Sequence, residues 1–237
     1  MRLSAPIFKL KREAKLLARQ EGLALNQALD RVAASNGFRG WSHLAATASR
    51  ARPAEDVLTA LRNGETLLVG ARPGHGKTLF GLELAASAAR RGMASFFFTL
   101  DYNEGDVLNG FGSVGVDRKW ARHAVVIDTS DDISAAYIAD RLRRSAGNAV
   151  AVVDYLQLLD QRRVNPGVDA QLRALKAFAI ENGAIIAVIS QIDRAFELKA
   201  GRMPTIADVR TPNPIDLSVF DRTCFLHDGE IQFGVAA

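Results

Sequence analysis

Apolar positions in the first fifty residues recur at helical spacing. Leu10, Ala14 and Leu17 share one face of a helix, while Lys9, Arg12, Lys15 and Arg19 occupy the opposite arc. Leu25, Ala28, Leu29 and Val32 repeat the pattern in a second helix, which Asn36-Gly37 stops. Ser42, after Trp41, is placed to cap a third short helix running through His43 to Ala46. Ala51-Arg52-Pro53 reads as a linker. From Val57 the period changes, and short runs rich in Val, Ile and Phe alternate with helical stretches, as in a parallel sheet buried on both faces. Strands are expected near 66–70, 94–100, 124–128, 150–154, 184–190 and 222–226, with helices at 77–91, 133–144 and 168–181. Right-handed crossovers would join them. His227-Asp228-Gly229-Glu230 predicts a hairpin turn, and 231–235 a closing strand. The expected organisation is a small all-helical module at 1–50 before an α/β domain at 54–237.

Composition narrows the class without changing this picture. With 237 residues, 48% of them hydrophobic and 24% charged, the chain has room for one α/β core and a small appendage, and large multidomain architectures are excluded. No stretch approaches the roughly 20 apolar residues that span a bilayer, and the charged N-terminus lacks the apolar centre of a signal peptide. The expectation is a soluble, cytoplasmic protein with no membrane partner. A single cysteine, Cys224, rules out an internal disulfide and a cysteine-rich metal cage. Thirty Lys and Arg against 26 Asp and Glu give a net charge of +4, which permits a polyanionic partner without requiring one. His43, His123 and His227 show no metal-ligand spacing, and Trp120 is expected in a core or interface.

The chemistry begins where the first strand of the α/β part ends. Leu67-Leu68-Val69-Gly70 runs into Ala71-Arg72-Pro73-Gly74-His75-Gly76-Lys77-Thr78, and an apolar helix beginning with Leu79 follows. Strand, loop and helix in that order are the context of a P-loop. Gly74 and Gly76 allow the backbone to form a nest of N–H groups aimed at phosphate oxygens, and the helix adds its positive end. Lys77 is expected to bridge the β- and γ-phosphates of ATP, and the Thr78 hydroxyl to ligate Mg²⁺. Ala71 stands where the strict pattern has its first glycine, so the relaxed motif is the one matched. His75 sits at one of the loop's tolerant middle positions.

Two further strands point at the same edge. Ala149 to Val153 is apolar and ends in Asp154, where a Walker B carboxylate would hold the Mg²⁺ water shell. Ile185 to Ile189 delivers Ser190-Gln191, and a glutamine there is placed to sense the γ-phosphate.

These anchors and their neighbours resemble the C-terminal ATPase domain of DnaB-type replicative helicases, within the RecA-like superfamily. The resemblance covers roughly residues 55–228 and is carried by Ala71-Arg72-Pro73 with Gly76-Lys77-Thr78, Val126-Ile127-Asp128-Thr129, and Val153-Asp154-Tyr155-Leu156-Gln157-Leu158. Leu172 to Ala179, Ser190-Gln191-Ile192-Asp193-Arg194 and Asp208-Val209-Arg210 continue the series. It implies a RecA-like three-layer α/β fold with a mostly parallel twisted sheet, ATP hydrolysis coupled to translocation on single-stranded DNA, and assembly into a ring or filament in which a neighbour completes each site. The glutamate that orients the attacking water in that family falls on Asp101, one methylene shorter, so the resemblance implies slow hydrolysis, with Glu104 as the alternative carboxylate. DNA contacts in the family come from the loops after the Walker B and Ser-Gln strands. Here those loops carry Arg162 and Arg163, then Arg194, Lys199 and Arg202, with Phe196 the one aromatic available for stacking.

Three departures leave a second reading open, an accessory ATPase that acts as a nucleotide-dependent switch on a partner. Asp101 is one, and the lack of the family's basic finger residues before Ala237 is another. The third is the N-terminal module, which does not resemble the family's primase-binding domain. Its segment Phe38-Arg39-Gly40-Trp41-Ser42-His43-Leu44 resembles small helical modules of bacterial proteins, and either a protein or a nucleic acid is open as its partner.

Overall fold

The computed structural model describes residues 7–50, 53–145, 148–156, 159, 165–198, 203–211 and 215–236. The chain separates into two compact units, Met1–Arg52 with Asp228–Glu230, and Pro53–His227 with Ile231–Ala237. The first contains α1 (Ile7–Glu21), α2 (Leu25–Ser35) and α3 (Trp41–Arg50). Leu10, Ala14, Ala28, Val32, Ala33, Phe38 and Leu44 form its core, so the helical stripes of the sequence are the packed faces. Leu25 departs from that expectation: it is the first residue of α2 and stays exposed. Ser42 does not cap α3 either, because Trp41 is already helical and its N–H donates to the Asp30 carboxylate at 2.8 Å.

The second unit opens with α4 (Pro53–Ala60) rather than with the expected linker residue. Proline at a first helical position needs no N–H partner and has its φ preset. Then come β1 (Thr66–Ala71), α5 (Lys77–Arg90), β2 (Ala94–Thr99), α6 (Glu104–Ser113), α7 (Arg118–Ala124) and β3 (Val125–Asp128). They are followed by α8 (Ala135–Arg143), β4 (Ala149–Asp154), α9 (Val168–Asn182), β5 (Ile185–Gln191), β6 (Arg222–His227) and β7 (Glu230–Val235). The seven strands form one sheet in the order β3-β2-β4-β5-β1-β6-β7, and β1 to β6 pair in parallel.

Alternation along each strand divides the core into two layers. Leu67, Val69, Phe97, Val150, Val152, Ile185, Ala187 and Ile189 pack with α4, α5, α6 and α7 on one face. Leu68, Phe96, Phe98, Ala151, Val153, Ile186 and Val188 pack with α8 and α9 on the other. Strands buried on both faces must be apolar throughout, which is why they read as continuous hydrophobic runs. Cys224 lies buried in β6, and burial pushes its thiol up to about 12, so it carries no thiolate chemistry at neutral pH.

α5 approaches the sheet closely, and Gly81 makes this possible. A Cβ there would meet Ile189 Cδ1 at 2.7 Å and Val152 Cγ1 at 3.0 Å. Gly81→Val should therefore overpack the interface and lower stability by about 2–3 kcal/mol. In a thermal melt that corresponds to a drop of roughly 5–10 °C.

Candidate functional site

Strand register gathers the candidate residues at one edge of the sheet. Val69 lies opposite Ile189, Ile189 opposite Asp154, and Asp154 opposite Thr99, so β4 and β2 finish level while β1 and β5 run two residues further, to Ala71 and Gln191, at the same edge. Ligands in open parallel sheets bind outside that edge. The loop between β1 and α5 passes through Gly74 at φ 81° and Gly76 at φ 84°, left-handed conformations that a side chain would strain. His75 N–H closes the turn onto the Arg72 carbonyl at 3.1 Å, and Phe80 N–H returns to the Gly76 carbonyl at 2.8 Å. Pro73 and Gly74 are exposed, and Lys77, Thr78 and Leu79 are half-buried at the start of α5. The Leu79 side chain packs partly on the core beneath.

Opposite this loop lies Asp154, a carboxylate 2% exposed. Thr78 hydrogen-bonds to it, and Lys77 acts on it through its charge. Among the described residues its Oδ2 has no hydrogen-bond partner. Burial pushes the Asp154 carboxyl up to about 6, against the Thr78 hydrogen bond and the Lys77 ammonium, while the Asp101 charge adds to the rise. A buried carboxylate with one oxygen unmatched, beside a threonine hydroxyl, is a hard oxygen donor set that suits Mg²⁺. The Asp154-Tyr155 peptide is cis.

Asp101 stands two residues beyond β2 at the surface, its N–H bonded to Thr99 Oγ1 at 3.3 Å. Nearby protein withdraws enough water to raise its carboxyl above the ordinary range, and Lys77 opposes the shift. The Lys77 ammonium thus acts on both carboxylates. Glu104, by contrast, opens α6 and pairs with Arg122 at 3.1 Å. Gln191 ends β5 across from Ala71, and its carbonyl accepts the Arg210 N–H at 2.7 Å. Ile192 bridges Val209, so the Ser-Gln strand is tied directly to the Asp208-Val209-Arg210 segment.

Some side chains sit differently from what the loop sequence implies. Arg72 is buried, and its guanidinium donates to the Ile192 carbonyl at 3.0 Å, which fastens the β1–α5 loop to the end of the strand carrying Gln191. Phe196 is 2% exposed and meets the His227 ring edge-on, so it is part of the packing and presents no stacking platform. His227 in turn stacks on His75 with centroids 5.1 Å apart and planes 4° from parallel. That contact was invisible in the spacing of the histidines, because only the placement of β6 beside β1 brings the two rings together. Arg194 is exposed at the start of a 3-10 turn (Arg194–Leu198), whereas Arg162, Arg163, Lys199 and Arg202 lie outside the described residues.

The profile of the DnaB-like helicase C terminal domain matches residues 114–232, just over half of the chain. The chain belongs to the DnaB-like helicase C-terminal domain family. The replicative DNA helicase DnaB of Leifsonia xyli subsp. xyli is 26% identical over 193 residues, a span of 68% of this chain and 42% of that protein. This DnaB-like chain therefore spans less than half the length of that relative. Among solved structures, the ATPase domain of G40P superposes with a TM-score of 0.59 at 20% identity, covering 70% of each chain. A DnaB-like replicative helicase studied with primase gives 0.60 at 20% identity, over 74% of this chain and 54% of that one. Both likenesses place the DnaB-like unit in the RecA-like fold. Among the described residues, none of its helices is long and apolar enough to cross a membrane.

Proposed function

We propose that the second unit binds ATP with Mg²⁺ at the β1–α5 loop, hydrolyses it, and couples hydrolysis to movement along single-stranded DNA. It would work as a ring or filament of identical chains. The observation that carries this reading is Asp154, a buried acid whose Oδ2 has no hydrogen-bond partner among the described residues, with Thr78 and Lys77 beside it. Thr78 and Asp154 would hold the ion, which when bound neutralises phosphate charge. Loop N–H groups and Lys77 would take the phosphates, Asp101 would orient the attacking water, and Gln191 would register the γ-phosphate. Gln191 is suited to relay that state because its own backbone bonds to Arg210, on the segment after the second candidate DNA loop. Arg162, Arg163, Arg194, Lys199 and Arg202 are the proposed DNA contacts. Family membership and the names of the curated relatives favour this motor over an accessory switch.

Steady-state hydrolysis with and without an unstructured single-stranded oligonucleotide tests the coupling. Stimulation of several-fold is expected, and Asp101→Asn should lower kcat at least tenfold with little change in nucleotide affinity, since positioning dominates this chemistry. Turnover indifferent to DNA at saturating oligonucleotide would refute the motor.

A further inference from the structure

We propose that the N-terminal three-helix unit is a duplex-DNA backbone binder whose contact surface is the outer face of α1. The net charge of the chain is unevenly spread. Residues 1–52 carry ten Lys and Arg against three Asp and Glu, a balance of +7, and since the whole chain is +4 the remaining residues sum to −3. All of the excess positive charge therefore resides in the smaller unit.

On α1 the charge is also organised. At about 100° per residue, Lys11, Arg12, Lys15 and Arg19 fall within an arc of roughly 100° and along about 12 Å of helix axis. All four are exposed, while Leu10 and Ala14 on the other side are buried. Among the described residues no carboxylate pairs with any of the four. Lys11 and Lys15, and Lys15 and Arg19, stand four apart, so neighbours that normally carry opposite charge repel instead. At two other helical positions the relieving arrangement is present: Arg144 pairs with Asp140, and Arg173 with Asp169, each at a spacing of four, while on α7 Arg122, four residues from Arg118, is paired with Glu104. A face kept only for solubility has no need to sustain that repulsion. A polyanion removes it.

The geometry favours a duplex among polyanions. B-DNA presents a phosphate charge about every 1.7 Å along its axis at fixed positions, and four cations held on a rigid helix engage it without ordering the ligand. Single-strand sites lean on stacking against aromatic rings. The described aromatic side chains of this unit, Phe38 and Trp41, belong to its core instead. Contacts made only to phosphates imply binding without sequence preference.

The test uses the full chain without nucleotide and a labelled 20-base-pair duplex, followed by fluorescence anisotropy across a salt series. Lys15→Glu/Arg19→Glu should weaken binding at least tenfold and make the slope of log K against log salt shallower by about 2. Arg118→Glu/Lys119→Glu, the same change in net charge on exposed positions of α7, should leave affinity within about twofold. Lys15→Gln/Arg19→Gln, free of added repulsion, should give an intermediate loss. Equal losses in the two charge-reversed proteins, or none in either, would overturn the proposal. So would a loss confined to single-stranded oligonucleotide or to phosphatidylserine vesicles with duplex binding intact. The two readings fail separately: DNA-stimulated hydrolysis lost with duplex binding kept refutes only the motor, and the converse refutes only this face.

Discussion

Lys77→Ala should reduce ATP turnover by about 10²–10³-fold, the scale seen when a preorganised charge is removed from a reacting centre. Among the described residues, Lys77 is the one cation that acts on both Asp101 and Asp154, and on the function proposed above it would also take the phosphates. Its side chain is only half-buried at the first turn of α5, beside a loop rather than within a packed layer. The melting temperature of the nucleotide-free protein should therefore change by no more than a degree or two. Stabilisation by Mg²⁺-ATP, expected in the wild type as an upward shift of the melt, should largely vanish. Single-turnover hydrolysis measured beside thermal melting separates the outcomes. Near-normal turnover in a folded Lys77→Ala protein would remove the phosphate-binding role of the loop.

How legible this arrangement was depends on which force sets each element. Parallel strands buried on both faces must be apolar throughout, so β1, β2, β4 and β5 stood out as runs, and their ends placed Asp154 and Gln191 at one edge. α6 and α7 were not expected. Gly105, Gly110 and Gly112 dilute the helical signal of α6, and α7 is only seven residues long. Both nevertheless announce themselves by caps, Asn103 accepting the Asp106 N–H and Asp117 accepting the Trp120 N–H. Pro53 falls in a linker on the sequence pattern yet begins a helix, since proline suits a connection and a first helical position equally. At the site, backbone-determined features were readable because glycine at positive φ leaves a mark in sequence. Side chains fixed by tertiary neighbours were not: Arg72 turns to the Ile192 carbonyl, and His75 stacks on His227, because β5 and β6 flank β1. Leu25 matched the apolar stripe yet lies exposed at the first position of α2.

Asp154→Asn should make the nucleotide-free protein more stable while destroying its response to magnesium. Burial raises the Asp154 carboxyl from an ordinary value of 3.8 to about 6, so the folded state prefers it protonated. The sign follows: the stability tied to this group is fully present below the unfolded value and is lost as pH rises through about 6. At pH 7.5 the buried charge then weakens the apo fold by on the order of 2–3 kcal/mol. An amide of nearly the same shape removes that charge, so Asp154→Asn should melt roughly 5–10 °C higher at pH 7.5. At pH 4 the two proteins should converge, since both are then neutral at this position. Magnesium reverses the preference. An ion held by Thr78 and Asp154 requires the carboxylate, so its uptake expels a proton and the affinity for Mg²⁺-ATP should climb as pH rises through about 6 in the wild type. Asp154→Asn should lose both that pH dependence and the difference between ATP with magnesium and ATP with EDTA, and its turnover should fall by at least about 10²-fold. An apo protein destabilised by the substitution at pH 7.5 would contradict the burial argument. A magnesium response that survived intact would move the ion away from Asp154, whatever the melt.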